Sequence, residues 1–313
     1  MKRAREADLT RWLDASERKP LVLRGARQVG KSYLVRDFAA RRVGALAEAN
    51  VERRPELKGC FADNDPRATL RRLEVVLGQS IPSDGSTLLF LDEIQAAPEV
   101  LAQLRWFAEE LPSLPIIAAG SLLDFALRSP AFSMPVGRLT FLYLEPMGFE
   151  EFCLALGEDP LVGWLREGVT LETIRSGAAR GGPEHSKALR LFREWLVVGG
   201  MPAAVEAYRN RRSFLEVAAL QRDLLATLRD DFAKYSGRVP HARLTKVLAS
   251  IPQQLGAKFT FARIDPASGL LAGRSVPGRM EPFLDGTAPT AEAPPQGQVD
   301  PNEFFLHDQP GRP

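Results

Sequence analysis

The chain has 313 residues, of which 45% are hydrophobic and 26% charged, and its formal net charge at pH 7 is +2. These values are typical of a globular protein with two domains, and the small net charge excludes a protein whose overall field attracts nucleic acid or an anionic membrane. No apolar stretch reaches the roughly 18 residues that a membrane helix needs.

The remaining composition narrows the cellular setting. Two cysteines without a pairing pattern exclude a disulfide scaffold, and three scattered histidines have no metal-ligand spacing. The N-terminus carries charge but lacks the apolar segment of a secretory signal. We therefore expect a cytoplasmic protein that contacts no membrane.

Predicted strands and helices alternate over the first half of the chain. Residues 9–18 predict a short amphipathic helix, and the apolar run "LVLRG" predicts the first strand. The run "STLLFLDEI" is almost continuously apolar, which is typical of a strand buried on both faces of a parallel sheet. After the first strand, strands are thus predicted in 45–51, 86–94 (the run just named), 115–121 and 139–146. After the first helix, helices are predicted in 31–40, 68–78 and 99–111. This alternation predicts a doubly wound α/β domain within residues 1–147.

Helical patterns dominate beyond Pro146. They lie in 148–156, 185–198, 212–235 and 241–255. They predict a helical second domain over residues 148–265. From Gly273 onward proline and glycine replace the pattern, so we expect a disordered tail over residues 266–313.

The segment "GARQVGKS" fits the phosphate-binding pattern G-x-x-x-x-G-K-[ST], with a strand before it and a helix after it. Glycines permit the backbone angles that let successive N–H groups and the helix N-terminus point at phosphate oxygens. We expect Lys31 to reach the β- and γ-phosphates, Ser32 to ligate Mg²⁺, and Arg27 and Gln28 to lie at the exposed tip of the loop. The candidate nucleotide-binding residues are Gly25, Ala26, Arg27, Gln28, Val29, Gly30, Lys31, Ser32 and Tyr33.

A second motif, "LLFLDE", ends a buried strand about 60 residues after the first. In a P-loop fold a carboxylate at that strand end lies beside the phosphates. We expect Asp92 to hold the Mg²⁺ shell together with Ser32. Glu93 is then placed to polarise a water aimed at the γ-phosphate.

Two further polar residues are candidates for the same site. Ser121 follows the short strand "PIIAA", where it could sense the γ-phosphate; it also suits a helix N-cap, with Asp124 completing a capping box. Arg138 precedes the last strand, where it could reach a nucleotide on the next subunit as an arginine finger. The sequence alone equally fits a surface arginine in a loop.

These motifs together resemble the prokaryotic AAA-type (AAA-plus) P-loop ATPases that have a C-terminal domain of unknown function. The resemblance is carried by "RGARQVGKSYL", "LFLDEIQ", "AAGSLL", "PVGRLTFLYLEPMGFEEF" and "VGGMPAAV", from about residue 9 to about residue 264. It implies an α/β core with a helical lid, and ATP and Mg²⁺ as cofactors. Carried over, it assigns Walker A to Gly25, Gly30, Lys31 and Ser32, Walker B to Asp92 and Glu93, the sensor to Ser121 and the post-sensor arginine to Arg138.

The resemblance also bears on the lid and on the end of the chain. "GGMP" matches a lid motif that touches the nucleotide in related signalling ATPases, which makes Gly200 and Pro202 further candidates; a helix C-cap before a proline explains it equally well. The resemblance fades near Asp265, where we expect a truncated or altered C-terminal region.

The sequence therefore predicts an ATPase that hydrolyses ATP with Mg²⁺ for an unidentified conformational or remodelling task. Three alternatives stay open: a slow nucleotide-gated switch, a small-molecule kinase, and a DNA-linked regulator. The acidic pair Asp92-Glu93 and the segment Gly120-Ser121 argue against a kinase. We expect "RNRR" (209–212) to be a solvated loop rather than a patch that reads DNA. A homo-oligomer is possible, and the protein or DNA client is not specified by any residue.

Overall fold

The structure is a computed structural model that describes residues 1–97, 99–121, 123, 137–167, 182–232 and 241–255. The chain divides into two compact units, Met1–Asp231 and Phe232–Pro313. The domain boundary expected between residues 147 and 148 falls inside the first unit and stays a prediction. The tail expected over residues 266–313 lies outside the described residues.

The sheet has five parallel strands in the order β2-β3-β4-β1-β5. Their bounds are β1 Leu21–Arg24, β2 Ala45–Asn50, β3 Thr87–Asp92, β4 Ile116–Ala119 and β5 Thr140–Tyr143. Every strand that the sequence predicted is present, within three residues at each end. The strand that precedes the glycine loop, β1, lies between β4 and β5, so the loop emerges from the interior of the sheet.

Alternate residues of the strands supply two hydrophobic layers, one on each face of the sheet. Val22 and Leu91 belong to one cluster, whereas Leu21, Leu23 and Phe90 belong to the other. All six residues of β3 are buried, as its unbroken apolar run predicted. The three inner strands β1, β3 and β4 are thus covered on both faces, which is the environment of a parallel sheet.

Four helices cover the sheet. Their bounds are α1 Glu6–Leu13, α2 Lys31–Arg42, α3 Pro66–Leu77 and α4 Glu99–Glu110. Side chains of α1 and α2 pack in one layer, and side chains of α3 and α4 pack in the other. The first helix begins three residues before the predicted start and ends five residues before the predicted end, because Asp14 already forms its C-cap.

Five further helices among the described residues of the first unit follow β5. They are α5 Phe149–Ala155, α6 Asp159–Arg166, α7 Pro183–Val198, α8 Pro202–Arg211 and α9 Phe214–Asp231. Phe152 of α5 stacks on Tyr208 of α8 with ring centroids 6.0 Å apart, within a cluster that also contains Val198 and Val217. This cluster gives the helical region its own core.

The prediction that "RNRR" forms a loop is wrong, since residues 209–211 end α8. Arg212 then adopts a left-handed conformation, φ 52°, as the C-cap. The helix was missed because its sequence, PAAVEAYRNR, has few large apolar residues, although Ala204, Val205 and Tyr208 are buried.

In the second unit the described residues form α10, His241–Ser250, and a short 3-10 turn, Pro252–Gln254. This agrees with the helix predicted over 241–255. Within the described part of the chain, no helix is both long enough and apolar enough to cross a membrane.

The two cysteines are free and buried, and they provide a test of the fold. Burial, with the charges of Glu158 and Glu150 in support, raises the pKa of Cys153 to about 11, and burial also raises the pKa of Cys60.

Because the thiolate is the reactive form, we expect both thiols of the folded protein to react with a maleimide or disulfide reagent at pH 8 at least about 100-fold more slowly than in denaturant. Mass spectrometry of timed samples measures this, and rapid native labelling of Cys153 would contradict the packing of α5.

Candidate nucleotide-binding site

The glycine loop joins β1 to α2, and its backbone explains its first and last glycines. Gly25 has φ 139°, and a Cβ at this position would lie 2.2 Å from the carbonyl oxygen of Leu144, just beyond β5. Gly30, with φ 92°, is the N-cap of α2. An L-residue is strained at either angle, so the loop conformation requires glycine at both positions.

The N-terminus of α2 is suited to an anion. Gly30 has no side chain to cap the helix, and the first turn of α2 contains no acidic residue. The first N–H groups and the helix dipole therefore lack a negative partner on their own helix. Lys31 adds a positive charge at the same point, so the loop and the helix together favour a phosphate group.

Lys31 folds back over the loop. Its Nζ donates to the carbonyl oxygens of Gly25, at 2.9 Å, and Ala26, at 2.8 Å, and its side chain is buried. Burial lowers the pKa of Lys31 to about 8, while the charges of Glu93 and Asp92 oppose that shift. The ammonium group is thus held among the loop carbonyls, close to both acids.

Ser32 and Asp92 meet across the sheet although 60 residues separate them. Ser32 Oγ donates to both carboxylate oxygens of Asp92, at 3.0 and 3.2 Å, and Asn50 Nδ2 donates to Oδ2 at 3.3 Å. Burial raises the pKa of Asp92, the hydrogen bond from Ser32 opposes that shift, and the neighbouring Glu93 adds to it. The end of β3 therefore presents a buried acid beside the first turn of α2.

Glu93 has a left-handed backbone conformation, φ 54°. Two of the three non-glycine residues with positive φ in the described structure, Gln28 and Glu93, lie at this site. Such conformations cost about 1 to 3 kcal/mol and concentrate at functional sites. The Glu93 side chain accepts a hydrogen bond from Gln95 Nε2.

These residues fit a triphosphate with Mg²⁺. The hydroxyl of Ser32 and the carboxylate of Asp92 are oxygen ligands of the kind that Mg²⁺ takes. Among the described residues, no group of three or more His, Cys, Asp and Glu side chains could hold a metal by itself. Mg²⁺ is commonly bound by one or two protein oxygens, with phosphates and water completing its shell.

A buried arginine from the chain's beginning supports the loop from behind. Arg3 donates through Nε to Glu151 Oε1 at 2.9 Å, and through its other nitrogens to the carbonyl oxygens of Val29 and Glu145, each at 2.6 Å. The second carboxylate oxygen of Glu151 accepts from the N–H of Gly148. One guanidinium thus ties the glycine loop to the end of β5 and to helix α5.

The tip of the loop contacts the helical region. Arg27 forms an ion pair with Asp231, the buried last residue of α9, at 3.2 Å. The expectation of an exposed tip is therefore correct for Gln28 and wrong for Arg27, whose side chain is only 30% exposed. A mainly apolar cleft of about 420 Å³ lies between the tip and α9, with Met201 and Leu228 among its walls.

The "GGMP" segment links α7 to α8 beside this loop. Gly199 is the C-cap of α7, and Pro202 begins α8. A Cβ on Gly200 would lie 2.3 Å from the carbonyl oxygen of Met147. Close packing against the backbone therefore explains why residue 200 is a glycine. Pro202 borders the loop, since its Cγ would lie 3.7 Å from a Cβ on Gly30.

The other predicted residues occupy different positions. Val29 is buried in the sheet core, whereas Tyr33 is 54% exposed and its hydroxyl accepts from the Met1 ammonium at 3.1 Å. Ser121 lies two residues after the last residue of β4. Its Oγ is buried and has no hydrogen-bond partner among the described residues. The proposed partner of its helix cap, Asp124, lies outside those residues.

Arg138 lies at the opposite end of the sheet from the glycine loop. It precedes β5, whose Thr140 pairs with Leu21, and Leu21 is four residues, or about 13 Å, before Gly25. Its Nε bonds to Glu109 Oε1 of α4 at 3.1 Å, and half of its side chain is exposed. Its role as a finger stays a prediction.

Sequence reasoning missed the residues that support the site from elsewhere in the chain. These are Arg3, Asn50, Gln95 and Asp231. Arg3, Asn50 and Asp231 are single polar residues outside any recognised motif. Gln95 alone carried a signal, because it belongs to the "LFLDEIQ" segment on which the resemblance rests.

The fold and the site define a P-loop nucleotide-binding domain with an adjoining helical region. The family model described as an AAA domain matches residues 17–153, and a model described as a domain of unknown function (DUF8612) matches residues 189–274. The chain therefore carries an AAA-type P-loop domain followed by a domain of unknown function, which confirms the resemblance. The second match continues to residue 274, beyond Asp265, where the resemblance was expected to fade.

Solved structures are similar to this chain to different degrees. The chain is 17% identical to the Walker-type ATPase PABY2304 of Pyrococcus abyssi, with a TM-score of 0.50 over 90% of this chain and 87% of that one. For ORC2 of Aeropyrum pernix, solved in ADPNP–ADP complexes, the identity is 16% and the TM-score 0.35, over 50% of this chain and 52% of that one. For the structure of Drosophila ORC bound to DNA, the identity is 16% and the TM-score 0.39, over 83% of this chain and 79% of that one. Among curated proteins, none matches the sequence.

Proposed function

We propose that the protein binds ATP with Mg²⁺ and hydrolyses it, using the energy for a conformational task. The observation that carries this proposal is the joint placement of Lys31 on the loop carbonyls and Ser32 on Asp92, with Glu93 beside them. This is the residue set that a P-loop hydrolase needs in one place.

Each residue has a separate task in this scheme. The loop N–H groups and Lys31 bind the phosphates, and Ser32 and Asp92 hold Mg²⁺, which neutralises charge that develops on the phosphate oxygens. Glu93 orients the attacking water and accepts its proton. Ser121, after β4, orients the water or contacts the γ-phosphate.

The ion pair between Arg27 and Asp231 supports the conformational part of the proposal. Arg27 belongs to the loop that contacts phosphate, and Asp231 is the last residue of both α9 and the first compact unit. A change in the loop on binding would therefore reach the end of α9 through one contact.

The test is ATP binding and phosphate release by the purified full chain, with Lys31→Ala as the baseline. We expect calorimetry to detect Mg²⁺-dependent ATP binding, and phosphate release to exceed the Lys31→Ala rate at least about tenfold, because that variant lacks the ammonium that binds the phosphates. Binding without excess release would favour the slow nucleotide-gated switch. The absence of any binding would refute the proposal.

A DNA-reading role is the weaker alternative. Arg209, Arg211 and Arg212 of the "RNRR" segment each pair with a glutamate, at 2.7, 2.8 and 3.9 Å. Their charges are therefore locally compensated rather than gathered in a basic stripe. DNA retention that weakens steeply with salt would favour this alternative.

Arg138 is proposed to act on the nucleotide of a second copy of the chain. Replacing it with alanine should leave ATP affinity unchanged and lower turnover about 1,000-fold, as loss of an arginine finger does. Phosphate release by the unaltered protein should also rise more than proportionally with protein concentration. The matched control is Arg105→Ala, because Arg105 bonds to the same oxygen of Glu109 at the same 3.1 Å and is equally exposed. Equal turnover in the two variants would discard the finger role.

A further inference from the structure

Gln95 bridges the ends of two strands at this site. It lies in the short 3-10 turn Ile94–Ala96, directly after Glu93. Its Nε2 donates to Glu93 Oε2, whereas its Oε1 is buried and has no hydrogen-bond partner among the described residues. Within that part of the structure, the side chain therefore makes a polar contact only through Nε2, to Glu93.

The amide oxygen of Gln95 lies against Gly120. A Cβ on Gly120 would be 2.4 Å from Gln95 Oε1, so with any other residue at position 120 the Gln95 side chain would have to move from this position. Gly120 follows β4 and immediately precedes Ser121. A single side chain thus connects the proposed base after β3 with the proposed sensor segment after β4.

We propose that Gln95 is a positioning residue that sets the orientation of the Glu93 carboxylate according to the position of the Gly120–Ser121 segment. This inference rests on the proposed function of the same site. An amide suits the task because it donates to the carboxylate without a proton that titrates in the working range. A shift of Gly120 presses on Oε1 and moves the amide that holds Glu93.

The first test replaces Gln95 with methionine, which keeps the length of the side chain and removes the amide. A hydrogen bond to a charged group is worth about 1.5 to 3 kcal/mol, so we expect kcat to fall about 10- to 100-fold while KM for ATP changes less than twofold. The matched control is Gln79→Met, since the Gln79 amide bonds to the carbonyl oxygen of Leu46, away from the loop and both acids. A parallel rise in KM, or unchanged kcat, would overturn the proposal.

The second test uses the close contact at Gly120. Gly120→Ala should lower kcat in the unaltered background, because the new methyl group displaces Gln95. In a Gln95→Ala background the same change should lower kcat much less, since that side chain is gone. Leu123, 2.8 Å from the added Cβ, is contacted in both backgrounds, so the difference isolates Gln95. An equal loss in both backgrounds would contradict the proposal.

A third measurement does not depend on turnover. Unfolding midpoints are compared for the unaltered chain, Glu93→Ala, Gln95→Met and the double variant. If the two side chains hold each other, the fall in midpoint of the double variant is smaller than the sum of the single falls. Additive falls would refute the contact. If phosphate release does not exceed the Lys31→Ala baseline, hydrolysis fails as a function, and this cycle still decides whether Gln95 positions Glu93.

Discussion

Glu93→Gln should abolish phosphate release while retaining ATP binding. Loss of a positioned general base lowers rates about 10²- to 10⁴-fold, and glutamine has the same shape without the carboxylate that accepts the proton. Binding should be retained or tightened, because the substitution removes a negative charge near Lys31 and Asp92, where the triphosphate is expected. Single-turnover phosphate release and calorimetric titration with ATP measure the two effects separately.

The matched control for this variant is Glu99→Gln. Glu99 is also a glutamate, six residues after Glu93 in the chain, and it is exposed at the start of α4. It should keep both binding and turnover. Phosphate release by Glu93→Gln at the rate of the control would remove Glu93 from the mechanism.

The strands and the first four helices were predictable because their signals are local. Most of the strands are short, mainly apolar runs, and β3 is buried along its whole length, whereas β2, ALAEAN, shows a partial alternation of apolar and polar residues. Helix α3 is bounded by residues with a direct physical signal, Asp65 at its N-cap and Gly78, with φ 71°, at its C-cap. Helices α6 and α8 were missed, since they are short and bury only two or three side chains each.

The central residues of the site were predictable for a different reason. Phosphate binding needs a fixed order of glycines, lysine and serine within one loop, so the motif is local even though the site is not. The pairing of Ser32 with Asp92 then followed from the fold class. The contacts of Arg3 with residues 29, 145 and 151 had no such signal, because a lone arginine in an arginine-rich chain carries no information about its partners.

The placement of Arg27 shows where a motif stops being informative. Its position in the pattern accepts any residue, so the sequence gives no reason to place it anywhere but at an exposed tip. Its side chain instead pairs with Asp231 of α9, 204 residues further along the chain. A variable position of a common motif is thus where this chain connects its phosphate loop to its own helical region.

Arg3→Met should destabilise the fold more than any other single substitution considered. The change keeps much of the apolar body of the side chain but removes the guanidinium, so the buried carboxylate of Glu151 loses its ionic partner and the carbonyls of Val29 and Glu145 lose their donors. Removal of one member of a buried ion pair costs about 3 to 5 kcal/mol in the free energy of unfolding. Urea denaturation followed by circular dichroism measures the loss.

Arg11→Met is the control for this experiment. Arg11 also bonds to a carboxylate, that of Asp8, but its side chain is 78% exposed, and such surface pairs contribute about 0 to 1 kcal/mol. Because Arg3 fixes the carbonyl of Val29, next to Gly30, ATP affinity should fall in Arg3→Met even where the protein is fully folded, and should not fall in Arg11→Met. Equal denaturation midpoints for the two variants would show that the glycine loop and helix α5 hold their positions without the arginine between them.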